Sequence, residues 1–421
     1  MKNAWQKIWG IGLACSALLL CNSQAFSALT ALPRHLTLVP GQAESLTLDF
    51  PFMAEAQDQS ILKTTERSGN QFQIQTLQAG NTQVDISLLG WIPLRSISVQ
   101  VLQEDWLIVG GQSIGVTMES QGVLVVNFSA VVCEDGTSHM PGREAGIKAG
   151  DVIVSVDGQP VNTAEELSDM IHQSRGSRMS LLILREENTM ELQAEAAWDQ
   201  GEQNYQLGLW VRDATAGVGT VTYYDSKTRR FGALGHGVVD ASTGVLFPMA
   251  DGNVYAADII HVIPGKSGNP GELQGSFDSC GKAAGRLLLN THLGIFGVMD
   301  SPVQGTPVRI ATHDQVSLGK AEILSTLSGM TVKSYEVAIV RLYPQNMATG
   351  KGIVLRVVDE ELLAKSGGIV QGMSGSPILQ NGMLVGAVTH VFINDPTMGH
   401  GVFIEWMLEN TREMNAEREA G

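Results

Sequence analysis

Basic residues are scarce in this chain: 27 lysines and arginines stand against 43 aspartates and glutamates in 421 residues, a formal charge of −16. That balance argues against a nucleic-acid footprint or a general affinity for anionic membrane, and it favours partners with basic patches. Aromatics are only 6 %. Cysteine is rarer still, four residues in all, of which Cys15 and Cys21 fall in an N-terminal apolar stretch. The other two, Cys133 and Cys280, make neither a disulfide framework nor a metal motif and read as small buried side chains. A long hydrophobic run is missing too, since the apolar stretch Ile8–Cys21 holds 14 residues, short for a bilayer core about 30 Å thick. With Lys2 and Lys7 ahead of it and Ala25 and Ala28 behind, residues 1–28 read as a signal peptide or an N-terminal membrane anchor. No H-E-x-x-H occurs, and the nine histidines form no compact ligand set, so no metal or other cofactor is expected. Gly265-Lys266-Ser267 ends like a P-loop, but Ile260 stands where the first glycine belongs.

What the chain does have is 43 % hydrophobic residues and 47 glycines, the composition of a globular, turn-rich, mainly β protein long enough for two or three domains. Residues 30–102 alternate apolar and polar positions, as in Val84-Asp85-Ile86-Ser87-Leu88, and predict a small β domain. Its Trp91-Ile92-Pro93-Leu94 stretch reads as core or interdomain packing. Residues 105–197 read as a PDZ domain. The turn Ala145–Gly150 feeds a strand ending in Asp157-Gly158, and Thr163 and Glu166 have capping-box spacing on a helix whose Leu167 and Ile171 share one face. Upstream, Ser113-Ile114-Gly115-Val116, after Gln112, reads as the loop whose amides receive a peptide carboxylate, with strand addition beside the helix. From 200 to 421, short apolar runs broken by glycines predict β-barrels, followed by a solvated polar helix over Glu405–Glu419.

Two motifs in that last region carry chemistry. Gly372-Met373-Ser374-Gly375-Ser376-Pro377 sets a serine among small residues, the G-x-S-G-x-P pattern in which chymotrypsin-like proteases present a nucleophile. There the Gly372 and Ser374 amides form the oxyanion hole. Far upstream, Gly232-Ala233-Leu234-Gly235-His236-Gly237 places a histidine between glycines. The order His then Ser is that of chymotrypsin-type enzymes, whereas α/β-hydrolases run Ser, acid, His on G-x-S-x-G. A general-base histidine needs an acceptor to fix its tautomer. Asp258, Asp278, Asp300 and Asp359 are all candidates.

Phe231–Val238, Gly367–Pro377 and Gly386–Pro396, with a PDZ-like segment ahead of the catalytic region, resemble the stage IV sporulation protein B serine peptidases of endospore-forming bacteria. The resemblance implies Asp359 as the acid of a His236-Asp359-Ser374 triad and a chymotrypsin-like double β-barrel over 200–421. It implies an exported signalling peptidase of the forespore intermembrane space that cleaves itself and a membrane-associated regulatory protein, thereby activating an intramembrane protease and a late mother-cell sigma factor. A reading from another class stands beside it, a PDZ-based binding or scaffold protein with a spent barrel. His390 and His400 read as wall or turn residues near the serine, not as catalytic groups.

Overall fold

The structure is a computed structural model and describes residues 32–33, 35–38, 43–47, 52–67, 71–101, 106–186, 188–345 and 348–419. The leader read over residues 1–28 lies outside them. Contacts divide the chain at Asp105/Trp106 into two units.

The first unit is all β. Strands 35–38, 92–101, 80–88 and 52–56 form one sheet in that order, and 43–47, 71–76 and 62–67 form a second. Alternation does the work here: in Phe52–Ala56 every second side chain is buried, and Phe52, Leu62, Ile74, Val84, Ile86 and Ile97 share one core. Trp91, Ile92 and Leu94 do not join it. Trp91 lies in the turn of the hairpin 80–88/92–101 and is 89 % exposed, and Ile92 and Leu94 follow it.

The second unit contains two closed six-stranded barrels. In the first, strands Ser113–Phe128, Met249–Ala256, Gly285–Thr291, Gly294–Met299, Arg230–Ala233 and Leu209–Asp225 pair in a ring, every pair antiparallel. The ring surrounds the core of Ile114, Val116, Met118, Val221, Phe231, Phe247 and Val254. In the second, Gly319–Thr326, Val332–Leu342, Ile353–Val357, Asp395–Phe403, Met383–Phe392 and Pro377–Gln380 close the same way. Trp106–Val109 and Pro307–Ile310 link the two barrels, the former pairing with Tyr223 and Tyr224 and the latter with Met383 and Leu384.

The PDZ domain is not a bead ahead of these barrels. Ser113–Phe128 and Leu209–Asp225 are long strands that serve both structures: their barrel halves pair Ser113–Glu119 with Ala214–Thr220, and their other halves pair Leu124–Phe128 with Leu209–Arg212. Between them lie the PDZ strands Val152–Val156, Arg178–Arg185 and Asn188–Glu195 and the helix Ala164–Gln173. The PDZ domain is thus inserted between two neighbouring staves of the first barrel. The boundary expected at 105 is corrected accordingly, because residues 106–120 belong to the linker strand and the barrel.

The C-terminal helix Ile404–Glu419 is also more than a solvated cap. Ile404, Trp406, Met407 and Leu408 are buried, and Arg230 donates to the Thr411 carbonyl. Cys133 is half-buried and Cys280 exposed, both unpaired, so neither is the small core residue expected.

Candidate active site

The loop Val370–Pro377 is pinned by its carbonyl oxygens. The Gln371 carbonyl accepts from Leu273 N–H, that of Gly372 from the Thr220 hydroxyl (2.9 Å), that of Ser374 from Thr220 N–H (3.0 Å), and that of Gly375 from the Thr222 hydroxyl (2.8 Å). Thr220 and Thr222 are fully buried on the long strand Leu209–Asp225. With its carbonyls turned inward, the loop leaves the N–H groups of Gly372 and Ser374, either side of Met373, and that of Val370 at its start with no hydrogen-bond partner among the described residues. Unpaired amides held by a rigid loop are what an oxyanion needs. Gly375 makes the turn possible, since it has φ +93° and a Cβ there would lie 2.1 Å from the Thr220 carbonyl oxygen.

Ser374 and His236 line one cleft of about 1190 Å³, together with Gly372, Thr389, His390, His292 and residues Thr215–Val218. Ser374 Oγ donates to the Thr389 carbonyl at 2.9 Å, and no hydrogen bond joins it to His236. Ser376, the other serine of the motif, is fully buried and faces away from solvent. His236 Nδ1 lies 2.9 Å from the Gly237 carbonyl oxygen. A carbonyl only accepts, so this contact places the proton on Nδ1 and leaves the Nε2 lone pair free. Burial holds the His236 imidazole below its ordinary range. His390 packs against it with ring centroids 4.8 Å apart, and burial, then the charges of His236, Lys351 and His400, push His390 down to about 4. Both rings are therefore neutral at neutral pH.

No aspartate or glutamate is among the residues lining the cleft. Asp359 is corrected: it N-caps the helix Glu360–Ser366, its carboxylate accepting from Leu362 N–H (2.9 Å) and Glu336 N–H (3.3 Å). The physical reason is local, because Asp-Glu-Glu-Leu-Leu is an N-cap followed by an acidic first turn. Asp278 caps its own turn through Cys280 and Gly281 N–H, and Asp258 and Asp300 are exposed.

Residues 203–408 match the family model of SpoIVB peptidase S55, and residues 134–185 match that of a PDZ domain. Over residues 203–408 the chain is similar to the SpoIVB S55 serine peptidases. One solved structure, the inactive form of a serine-to-alanine mutant of Rv3671c from M. tuberculosis, is 12 % identical with a TM-score of 0.27, covering 47 % of this chain and 82 % of that one. The S55 match begins at 203 and so omits the barrel stave Ser113–Ser120, which lies on the far side of the PDZ insertion.

Ser113, Ile114, Gly115 and Val116 do not form the PDZ carboxylate loop. They are that barrel stave, pairing with Gly217–Thr220 on one side and Val254–Ala256 on the other, and a Cβ on Gly115 would meet the Phe277 ring at 2.1 Å. The PDZ groove lies elsewhere. The helix Ala164–Gln173, with its capping box at Thr163 and Glu166, brings Leu167 and Ile171 against Tyr205, Leu207, Leu209 and Val211 around a cavity of about 180 Å³. At its end, Leu207 and Gly208 turn their carbonyls to Gly142 and Ser129 N–H, while their own N–H groups make no hydrogen bond among the described residues. Gly208 has φ +66°. Leu207-Gly208-Leu209, an apolar-Gly-apolar run opening a strand, was the signal available in the sequence.

Proposed function

We propose that this protein is a serine endopeptidase acting through a His236–Ser374 pair. The observation that carries the reading is the pair of unpaired amides, Gly372 and Ser374, beside a serine and a neutral histidine in one cleft. Ser374 Oγ rotates away from the Thr389 carbonyl and attacks the scissile carbonyl carbon as His236 Nε2 takes its proton. The oxyanion settles on the Gly372 and Ser374 amides. Collapse breaks the C–N bond, His236 returns the proton to the leaving amine, and a water molecule activated by the same nitrogen hydrolyses the acyl-enzyme. The Gly237 carbonyl fills the tautomer-fixing role that a carboxylate has in a triad. All of this needs neither metal nor cofactor.

The finer biology rests on the family match and the N-terminal sequence pattern. They support a sporulation signalling peptidase that is exported to the forespore intermembrane space, cleaves itself and a membrane-associated regulatory protein, and so activates an intramembrane protease. Protein or peptide ligands suit both the peptidase and PDZ domains. A fluorophosphonate probe tests the chemistry: it labels the wild type at Ser374 and not Ser374→Ala. Absence of label on a folded wild type returns the protein to the scaffold class.

A further inference from the structure

The PDZ groove and the catalytic cleft are walled by the same strand. Leu209 and Val211 line the groove, Thr215–Val218 line the cleft, and all six belong to one strand, Leu209–Asp225, whose ladder with Ser113–Phe128 shifts register at Trp210/Val211 and Arg212/Ala214. Along Leu209–Thr220 one edge of that strand is taken by Ser113–Phe128. The opposite edge acquires its strand neighbour, Arg230–Ala233, only from Val221 onward. From Leu209 to Val218 that second edge has no paired strand among the described residues, and its side chains are exposed or half-buried. The open edge ends at the nucleophile, where Thr220 N–H holds the Ser374 carbonyl at 3.0 Å. It begins at the unpaired Leu207 and Gly208 amides.

Polarity follows from those two ends. A peptide whose terminal carboxylate sits on the Leu207 and Gly208 amides, and which adds to the open edge, runs antiparallel to it. Its residues further from the C-terminus then pass Val211 and Gly217 and reach Ser374. The junction between the two segments is held fixed. Arg212, between them, pairs at 2.6 Å with Asp240, whose side chain is fully buried in the loop that follows His236. The PDZ turn at Gly150 also packs near Val245 of that loop.

The geometry points to a C-terminal ruler: the enzyme takes extended polypeptides with a free C-terminal carboxylate and cuts them at a set distance from that end. From Gly208 to Val218 is ten residues, so at about 3.3 Å per strand residue the scissile bond lies roughly ten to twelve residues before the C-terminus. A bound chain is hydrolysed without leaving the strand edge, and the released product is the short C-terminal piece. This inference deepens the peptidase reading and rests on it.

The test uses the full-length protein and an unfolded casein in three forms, with its natural free C-terminus, with that carboxylate amidated, and with a flexible Gly/Ser extension of about ten residues. New termini are mapped by mass spectrometry, and a parallel sample is labelled with fluorophosphonate. A ruler gives a dominant early cut roughly ten to twelve residues from the free end, a cut that moves by about ten residues to the junction with the extension when the chain is lengthened, and a loss of about tenfold or more in its rate on amidation. Cuts that stay at the same residues in all three forms, or no cutting although Ser374 is labelled, overturn the ruler and leave the peptidase reading standing. No labelling overturns the peptidase reading and the ruler with it.

Discussion

Replacing Asp359 separates two accounts of the catalytic histidine. In the structure its carboxylate accepts two backbone N–H groups, Leu362 at 2.9 Å and Glu336 at 3.3 Å, as the N-cap of the helix Glu360–Ser366. Asparagine caps a helix about as well as aspartate, so Asp359→Asn is expected to leave both stability and turnover within about twofold of wild type. Alanine removes the acceptor and costs about 1 kcal/mol, which for a unit of this size lowers the melting temperature by roughly 2 °C. Its turnover per folded molecule stays within a few-fold. A triad aspartate behaves in the opposite way, since the isosteric amide leaves the fold intact and lowers kcat by roughly 10⁴ through the wrong imidazole tautomer. The assay is the rate of fluorophosphonate labelling together with peptide turnover, each beside a thermal melt. An Asp359→Asn protein that melts like wild type and has lost two orders of magnitude or more in both rates refutes the assignment of tautomer control to the Gly237 carbonyl.

Ser374→Ala should abolish labelling and turnover with an unchanged melt, and His236→Ala should be comparably severe, with the double variant no worse, because the two act as one unit; additive losses would argue against a shared step. The acid limb of kcat/KM should have its midpoint below about pH 6.5, the ordinary imidazole value, because burial lowers His236; a midpoint above it would contradict that burial. The same depression of His236 and His390 makes the unfolded chain bind protons that the folded one refuses, so stability is full above about pH 6.5 and declines as pH falls toward 4. Urea titrations at neutral pH and at about pH 5 show whether it does. Gly115→Trp should unfold or strongly destabilise the first barrel, since even a Cβ there would meet Phe277 at 2.1 Å; a normal melt would place Gly115 outside the barrel wall.

The serine and histidine motifs were legible because their neighbours must be small. Gly372 and Gly375 take positive φ, and the loop packs so closely on Thr220 that larger residues do not fit; such demands mark the sequence directly. The acid was not legible. Asp359 followed by Glu360 and Glu361 satisfies a helix N-terminus, and nothing in a linear string distinguishes that use of a carboxylate from orienting an imidazole. Two stretches, Ile114-Gly115-Val116 and Leu207-Gly208-Leu209, carry the same apolar-Gly-apolar pattern. Only the pairing of residues 113–119 with 214–220, 95 to 107 positions apart, shows which is a barrel stave and which ends the groove. The helix Ala164–Gln173 was readable from its capping box because that signal is confined to four residues.

The insertion of the PDZ domain between two staves also orders the birth of the enzyme. The stave Ser113–Ser120 is made first and has no neighbour in the first barrel until the chain has passed through the whole insert and returned at Ala214. Closing that distance as a loose loop carries the entropy of a long unstructured connection, whereas a folded insert brings Phe128 and Leu209 together and delivers both staves side by side. Thr220 and Thr222, which pin the Ser374 loop, lie on the returning stave. The loop that carries the Gly372 and Ser374 amides is therefore most readily held in place on a chain whose PDZ insert has already folded.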